Sequence, residues 1–342
     1  MAIATSYPCA DGGHAYGTHG THGASGAQAA QAAHGVPLPS RPYVALNPHY
    51  GMLLGVADFQ AEQAYHRGKH RLHNAWAHGW GVLWGLGVSV DLGKGEVAVA
   101  PGLALDGRGR ELHVDATQCL HIGRWFGAHR DDAGFEFKEE GGAVAFDAHV
   151  RLRHHACLSA PVPALADSCN GDTGNGTAYS RVFETVIIEL VPGKAPARTH
   201  RHHQLRVLAG LDAPRSDEGG TVLPGDQAAL DAGAAIAAAA PADRVATAAA
   251  ALHHIGVIDT AAEPSAVAED PDDPDGPLFP ADGPLTLALA DLNGVQLRLQ
   301  SQSQEDGSYT LTAASVDLDV RSLLLPTATL QALAGALLAA LF

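Results

Sequence analysis

The spacing of hydrophobic positions changes once, sharply, along this chain. Between Asp58 and His78 the apolar residues recur with a helical period, and from Leu86 onward they fall into short alternating runs. At about 100° per residue, Tyr65, Leu72 and Trp76 share one narrow arc, which predicts the core-facing stripe of an amphipathic helix. Phe59, His66, His70, His73 and Ala77 fall on a neighbouring arc. Asp58 is the expected N-cap, and Glu62 in the first turn complements the positive end of the dipole. Gly79 after His78 is the expected stop, because glycine takes a left-handed conformation without penalty. Gly68 inside the helix costs roughly 1 kcal/mol against alanine. Its presence predicts that another segment of chain passes close by.

The region after Leu86 reads as strands with turn signals between them. Residues 87–91, 95–100, 103–105 and 111–114 alternate and are separated by Pro101-Gly102 and Asp106-Gly107-Arg108-Gly109, which predicts a β-meander. Arg108 and Arg110 are expected as solvated turn charges. Residues 143–155 and 181–191 predict long strands, the second nearly continuous in Val, Phe and Ile and therefore central. Residues 227–255 are Ala-rich and split into two helical pieces by Pro241. Residues 285–289 and 295–299 predict a hairpin through Asp291-Leu-Asn293-Gly294, followed by strands at 309–312 and 315–320. Residues 327–342 form an apolar helix too short to span a bilayer, expected to pack on its own domain or on a partner.

Together these elements predict a mainly β protein with helices, of the α+β class. The expected order is a flexible His/Gly-rich arm (1–40) and a helical attachment segment (41–85), leading into a β-sandwich or barrel-like domain (86–191). A connector with Ala-rich helices (192–262) follows, then a small β domain with a C-terminal helix (285–342), the turn-rich stretch before residue 285 marking a boundary.

Composition narrows the partners. Hydrophobic residues make up 46% of the chain, enough for sizeable cores, whereas 37 acidic against 21 basic residues leave a net charge of −16. That balance argues against a nucleic-acid partner, which needs a basic face. No run of 18 apolar residues and no secretory signal is present, so neither a membrane span nor export by that route is expected. Four cysteines do not make a disulfide framework. The arm has too little apolar surface to fold alone and is expected to order only against neighbouring subunits. Its His14, His19 and His22 are candidates for weak metal capture.

The candidate chemistry is sparse. His66, His70 and His73 have the i, i+4, i+7 spacing of imidazoles on one helix face, but i and i+7 lie about 10 Å apart along the axis. Only a pair such as His66 and His70 with a distant ligand is realistic, and polar-face histidines are the plain alternative in a chain of 20. Cys157 and Cys169 bound a Pro-stiffened loop, and free thiols, a disulfide or a shared metal all remain open there. A structural zinc on His66, His70, Cys157 and Cys169 is the one cofactor the residues suggest. The Gly-Trp-Gly-Val-Leu-Trp-Gly-Leu-Gly run at 79–87 leaves a helix for a strand, the reverse of a dinucleotide fingerprint. Its glycines are expected to allow tight turns while Trp80 and Trp84 pack from either side. No nucleophile elbow, phosphate loop or His-Glu-x-x-His motif occurs.

Several motifs carry a resemblance. Tyr50-Gly-Met-Leu-Leu, Asp58-Phe-Gln-x-Glu-Gln-x-Tyr-His, Lys69-x-Arg-x-His-Asn, His78-Gly-Trp-Gly-Val and Pro101-Gly-Leu-Ala-Leu-Asp-x-x-Gly-Arg-Glu resemble bacterial proteins associated with phage-tail-like contractile injection systems. The Pro-Val-Pro, Cys169 and Ser180-Arg-Val-Phe-Glu features of residues 157–184 extend the likeness, which spans about residues 43–190. The resemblance implies a non-enzymatic baseplate or tail-fibre attachment component, made in the cytoplasm and built with other subunits, as a homo-oligomer, into a particle that can be released. It implies no catalytic residues. On that reading Tyr65, Leu72, Trp76, Gly79, Trp80 and Trp84 are structural or interface positions. Two alternatives of other classes are a metal-binding enzyme or module using the helix histidines with the Cys157–Cys169 loop, and a carbohydrate-binding β-sandwich.

Overall fold

Alternation with period two places Val144, Phe146, Ala148, Val150 and Leu152 on one face of a single strand, and all five are buried. That strand, β8 (Ala143–Pro163), is the spine of the fold. The computed structural model describes residues 41–163, 177–261, 278–280, 282–299 and 309–341. The N-terminal arm with its histidines, Cys169 and the linker at 262–277 lie outside the described residues.

Helix α1 (Val56–His73) continues through a π-helical turn at Asn74–His78 and ends at Gly79, whose φ is +81°. Then come β1 (Gly81–Gly85), β2 (Val88–Asp91), β3 (Glu96–Val99), β4 (Gly102–Leu105), β5 (Glu111–Val114), β6 (Gln118–His121), helix α2 (Ile122–His129) and β7 (Lys138–Glu140). After β8 follow β9 (Thr177–Pro192), three helices α3 (His203–Leu208), α4 (Pro224–Ala238) and α5 (Arg244–Ala261), strands β10 (Thr286–Leu299) and β11 (Tyr309–Asp317), and α6 (Thr327–Leu341). Helix accounts for 31% and strand for 35%, so neither dominates and the α+β class stands.

The described residues form three sheets, each antiparallel. One runs β1-β4-β5, one β2-β3-β6, and the largest β11-β10-β8, with β7 and β9 pairing the other edge of β8 in succession. A single hydrophobic core joins them, with Phe126 of α2, Leu112, Leu152, Leu292 and Leu297 fully enclosed. Phe126 stacks on Phe146 at 5.4 Å and meets Phe135, Phe137 and Tyr309 edge-on.

The expected hairpins 2–3 and 4–5 form, but they close onto different sheets, so the predicted meander is replaced by alternation between two sheets. The predicted central strand at 181–191 is an edge strand on β8, and its burial alternates at Val186, Ile188 and Leu190. The predicted hairpin through Asn293-Gly294 does not form. Residues 286–299 make one strand, and Gly294 at φ +60° sits in an irregularity where the register with β8 slips. The dipeptide supplies a left-handed residue for a bulge here and not for a turn.

The chain divides into two compact units. Thr199–Asp282 forms the helical one, and everything before and after belongs to the β-rich one. β10 pairs with β8 along ten residue positions from Arg153 to Ala143, so the strand at 286–299 belongs to the same sheet as the strand at 143–163. Among the described residues no helix is long and apolar enough to cross a membrane.

Candidate functional site

Helix α1 begins three residues earlier than the sequence suggests. Gly55 is its N-cap, and Asp58 acts from the third helical position, its carboxylate accepting from the Gly55 N–H at 2.8 Å. The buried face is also different. Ala64, Gly68, Arg71 and Ala75 are enclosed, Tyr65 and Leu72 are half-buried, and Trp76 is 40% exposed. Small residues face inward because backbone lies against the helix: a Cβ at Gly68 would stand 2.8 Å from Pro42, and the Arg41 N–H donates to the Ala64 carbonyl at 3.0 Å. The close approach predicted from Gly68 is thus present.

The turn between β4 and β5 forms the seat of the helix. Asp106 is fully buried, and its carboxylate accepts from the Arg108 and Arg110 N–H groups and from Arg110 Nε at 2.6 Å. Arg108 is buried and Arg110 half-buried, so neither is the solvated turn charge the sequence suggests. Gly109, at φ +65°, comes so close that an added Cβ would meet the Arg71 carbonyl at 2.1 Å, and Asn74 Nδ2 donates to the Gly109 carbonyl at 3.1 Å. From the other side, Arg71 Nη2 lies 3.6 Å from Glu184 of β9, whose carboxylate also meets His154 Nε2 at 2.9 Å. Burial pulls the Arg71 guanidinium down to about 10, still charged at neutral pH, while the His154 hydrogen bond and the nearby arginines hold Glu184 below the usual carboxylate range.

Beside this seat an open groove of about 510 Å³ runs between Gln63 and Arg67 of α1 and Leu158, Tyr179, Arg181 and Glu184 of the β8–β9 ribbon. It mixes both signs of charge with apolar stems, and the one hydroxyl among its described lining side chains besides the Tyr179 phenol, Ser180, donates to the Ala160 carbonyl at 3.0 Å.

Among the described residues, the sequence-predicted metal ligands His66, His70 and Cys157 are not grouped to hold an ion. His66 and His70 are exposed, and His66 Nε2 meets Glu62 at 2.9 Å along the helix. Cys157 is disulfide-bonded, its partner outside the described residues, so the open choice at that position resolves away from a thiolate ligand. Cys119, half-buried on β6, is not part of a disulfide. Among the described residues no group of three or more His, Cys, Asp or Glu side chains is arranged to hold an ion.

In the Gly/Trp run, Trp80 is buried, but Trp84 is 52% exposed and does not pack as expected. The glycines there serve close approach. A Cβ at Gly85 would meet the Pro101 carbonyl at 2.2 Å, and one at Gly81 the Ser322 carbonyl at 2.7 Å, where the chain end bridges to β1. Immediately before α1 lies an exposed apolar strip: Tyr43, Tyr50, Leu53 and Val56 are 73%, 105%, 94% and 75% exposed, and Phe59 continues it.

The helical unit holds a second polar cluster that sequence reasoning missed. Asp226 is fully buried and accepts from His203 Nε2 at 2.7 Å, Gln204 Nε2 at 3.1 Å and the Arg215 N–H at 2.6 Å. Burial opposes its ionisation, yet the Arg215 amide and the His203 side chain outweigh it and keep the carboxyl below its usual range. Asp259 of α5 caps α3, accepting from the Gln204 and Leu205 N–H groups. The partners sit 11 to 55 positions apart in the chain, a separation no local motif could signal.

No protein-family model and no curated protein matches this chain.

Proposed function

We propose that this chain is a non-enzymatic structural component of a phage-tail-like contractile injection particle, placed where an appendage joins the baseplate. One observation carries the reading: the motifs that bear the resemblance are the contacts that seat α1. Arg71 and Asn74 of the Lys-x-Arg-x-His-Asn motif meet the Asp-x-x-Gly-Arg-Glu turn at Gly109, and Arg71 reaches Glu184 of the Ser-Arg-Val-Phe-Glu motif. Residues used in this way hold a frame together. A reaction centre would instead need groups converging on an open site. The exposed apolar strip ahead of α1 supplies a surface for neighbouring subunits. The protein is made in the cytoplasm and enters the particle there, and the arm and strip make the subunit contacts.

Sedimentation of particles from the native host, followed by mass spectrometry, tests this. The protein is expected to co-sediment with sheath and tube proteins in fixed ratio. Its absence from intact particles that contain every other component would overturn the reading.

A further inference from the structure

Two largely apolar surfaces of the β-rich unit are exposed in the single chain. The first is the strip before α1: residues 42–57 contain no Asp, Glu, Lys or Arg, and Tyr43, Val44, Tyr50, Leu53, Leu54 and Val56 are exposed. The second is α6, which with its flanks at 322–342 contains no charged side chain at all. Residues 327–334 of α6 are exposed, with Leu330 at 51% and Leu333 at 50%, and among the described residues no element packs extensively along it. A helix this apolar, polar only at Thr327, Thr329 and Gln331, offers little that water solvates well and is stable only when covered.

The occupant follows from charge and area. At about 200 Å² for an aromatic and about 100 Å² for an aliphatic side chain, the exposed parts of Tyr43, Val44, Tyr50, Leu53, Leu54, Val56 and Phe59 amount to roughly 700 Å². That is close to the ~800 Å² each partner contributes to a specific interface of standard size. A charged partner would lose hydration against the strip's apolar side chains, whose charged neighbours are only Asp58 and the Lys69 ammonium over the Tyr43 ring, whereas α6 brings no charged side chain of its own. A bilayer is the poorer partner, because 15 residues of helix reach only about 22 Å against a hydrocarbon core of about 30 Å. From this we infer that α6 of one copy docks on the residue 42–59 strip of a second copy, a head-to-tail contact that builds a ring or an open filament. The inference rests on the proposed function only in needing subunit contacts, and it names which surfaces make them.

The experiment uses the full chain in solution. Tyr50→Asp with Leu53→Asp closes the strip, and Leu330→Asp with Leu333→Asp closes the helix. All four positions are exposed, and circular dichroism checks that folding is retained, with Leu330→Gln and Leu333→Gln as the milder form. By light scattering the unaltered protein is expected to gain mass with concentration, and each double variant to remain monomeric. An equimolar mixture of the two variants is expected to form a one-to-one dimer and nothing larger, since each retains the surface the other lacks. A monomeric unaltered protein, a variant that associates as well as the unaltered one, or a mixture that stays monomeric would each overturn the inference. So would α6-dependent binding to phosphatidylcholine vesicles without self-association, which would assign the helix to lipid. Particles that contain a protein monomeric in solution would leave the proposed function standing, so the two failures are distinct.

Discussion

At the scale of single residues, two glycines with opposite surroundings separate backbone need from simple composition. Gly109→Ala would place a methyl against the Arg71 carbonyl at a positive φ, and is expected to cost about 2–4 kcal/mol in chemical denaturation. Gly127→Ala, in helix α2 with open space around it, is expected to be neutral or to stabilise by about 0.5–1 kcal/mol. His155 makes a different prediction. Its Nδ1 is buried without a hydrogen-bond partner, and burial, with Arg153 and His154 beside it, pushes its pKa below the ordinary 6.5. Such an imidazole takes up its proton more readily in the unfolded chain, so its contribution is complete above about pH 6.5 and is lost as pH falls through the folded value. His155→Leu should therefore flatten the loss of stability on mild acidification, measured as denaturation midpoint against pH. Gly68 declared its close neighbour in the sequence because its helix cost had to have a reason. Arg71 did not, since an arginine at a helical position gives no sign that it will be buried against a glutamate 113 positions away.

At the scale of elements, the location and end of α1 were legible, but its orientation was not. Period and the Gly79 stop define a helix, whereas which arc faces inward depends on what covers it, and here that is backbone from residues 41–42 and 109. Backbone fits only small residues, so the stripe Ala64, Gly68 and Ala75 lies inside, while Tyr65 and Leu72 are only half-buried and Trp76 is exposed. Ala75→Leu, a hydrophobic change at a fully enclosed position, is expected to destabilise by about 1–3 kcal/mol and to remove hydrogen-exchange protection from α1 before the sheets. The strands were legible in the same partial way. Alternation and turn residues located β2 to β5, but local pairing cannot say which of two sheets a hairpin joins, and the Asn-Gly signal serves a bulge as readily as a turn.

At the scale of the whole molecule, the helical unit is an insertion between two strands of one sheet, so chain order hid the union of 143–163 with 286–299. Long-range pairing leaves no trace in composition or local period. The two units have separate polar anchors, Asp106 in the β-rich unit and Asp226 in the helical one. Asp226→Ala leaves several donors without an acceptor, at a cost of about 1–3 kcal/mol. Hydrogen exchange is expected to rise across α3 to α5, with β8 and β10 unchanged. Equal loss in both units would mean they unfold as one. Of the candidate site little was legible: the motifs holding Arg71, Gly109 and Glu184 meet, but nothing in their spacing announced that their parts seat a helix.

One consequence concerns mechanical load. β8 is 21 residues long, pairs with β10 and β7 near its start, and continues with β9 alone to its far end. Tension along that strand would strain its hydrogen bonds together in shear, whereas a pull across the free ribbon would open them one by one. The β-rich unit is therefore stiff along β8, and the ribbon tip beyond the Arg71–Glu184 contact is where that strand would first give way.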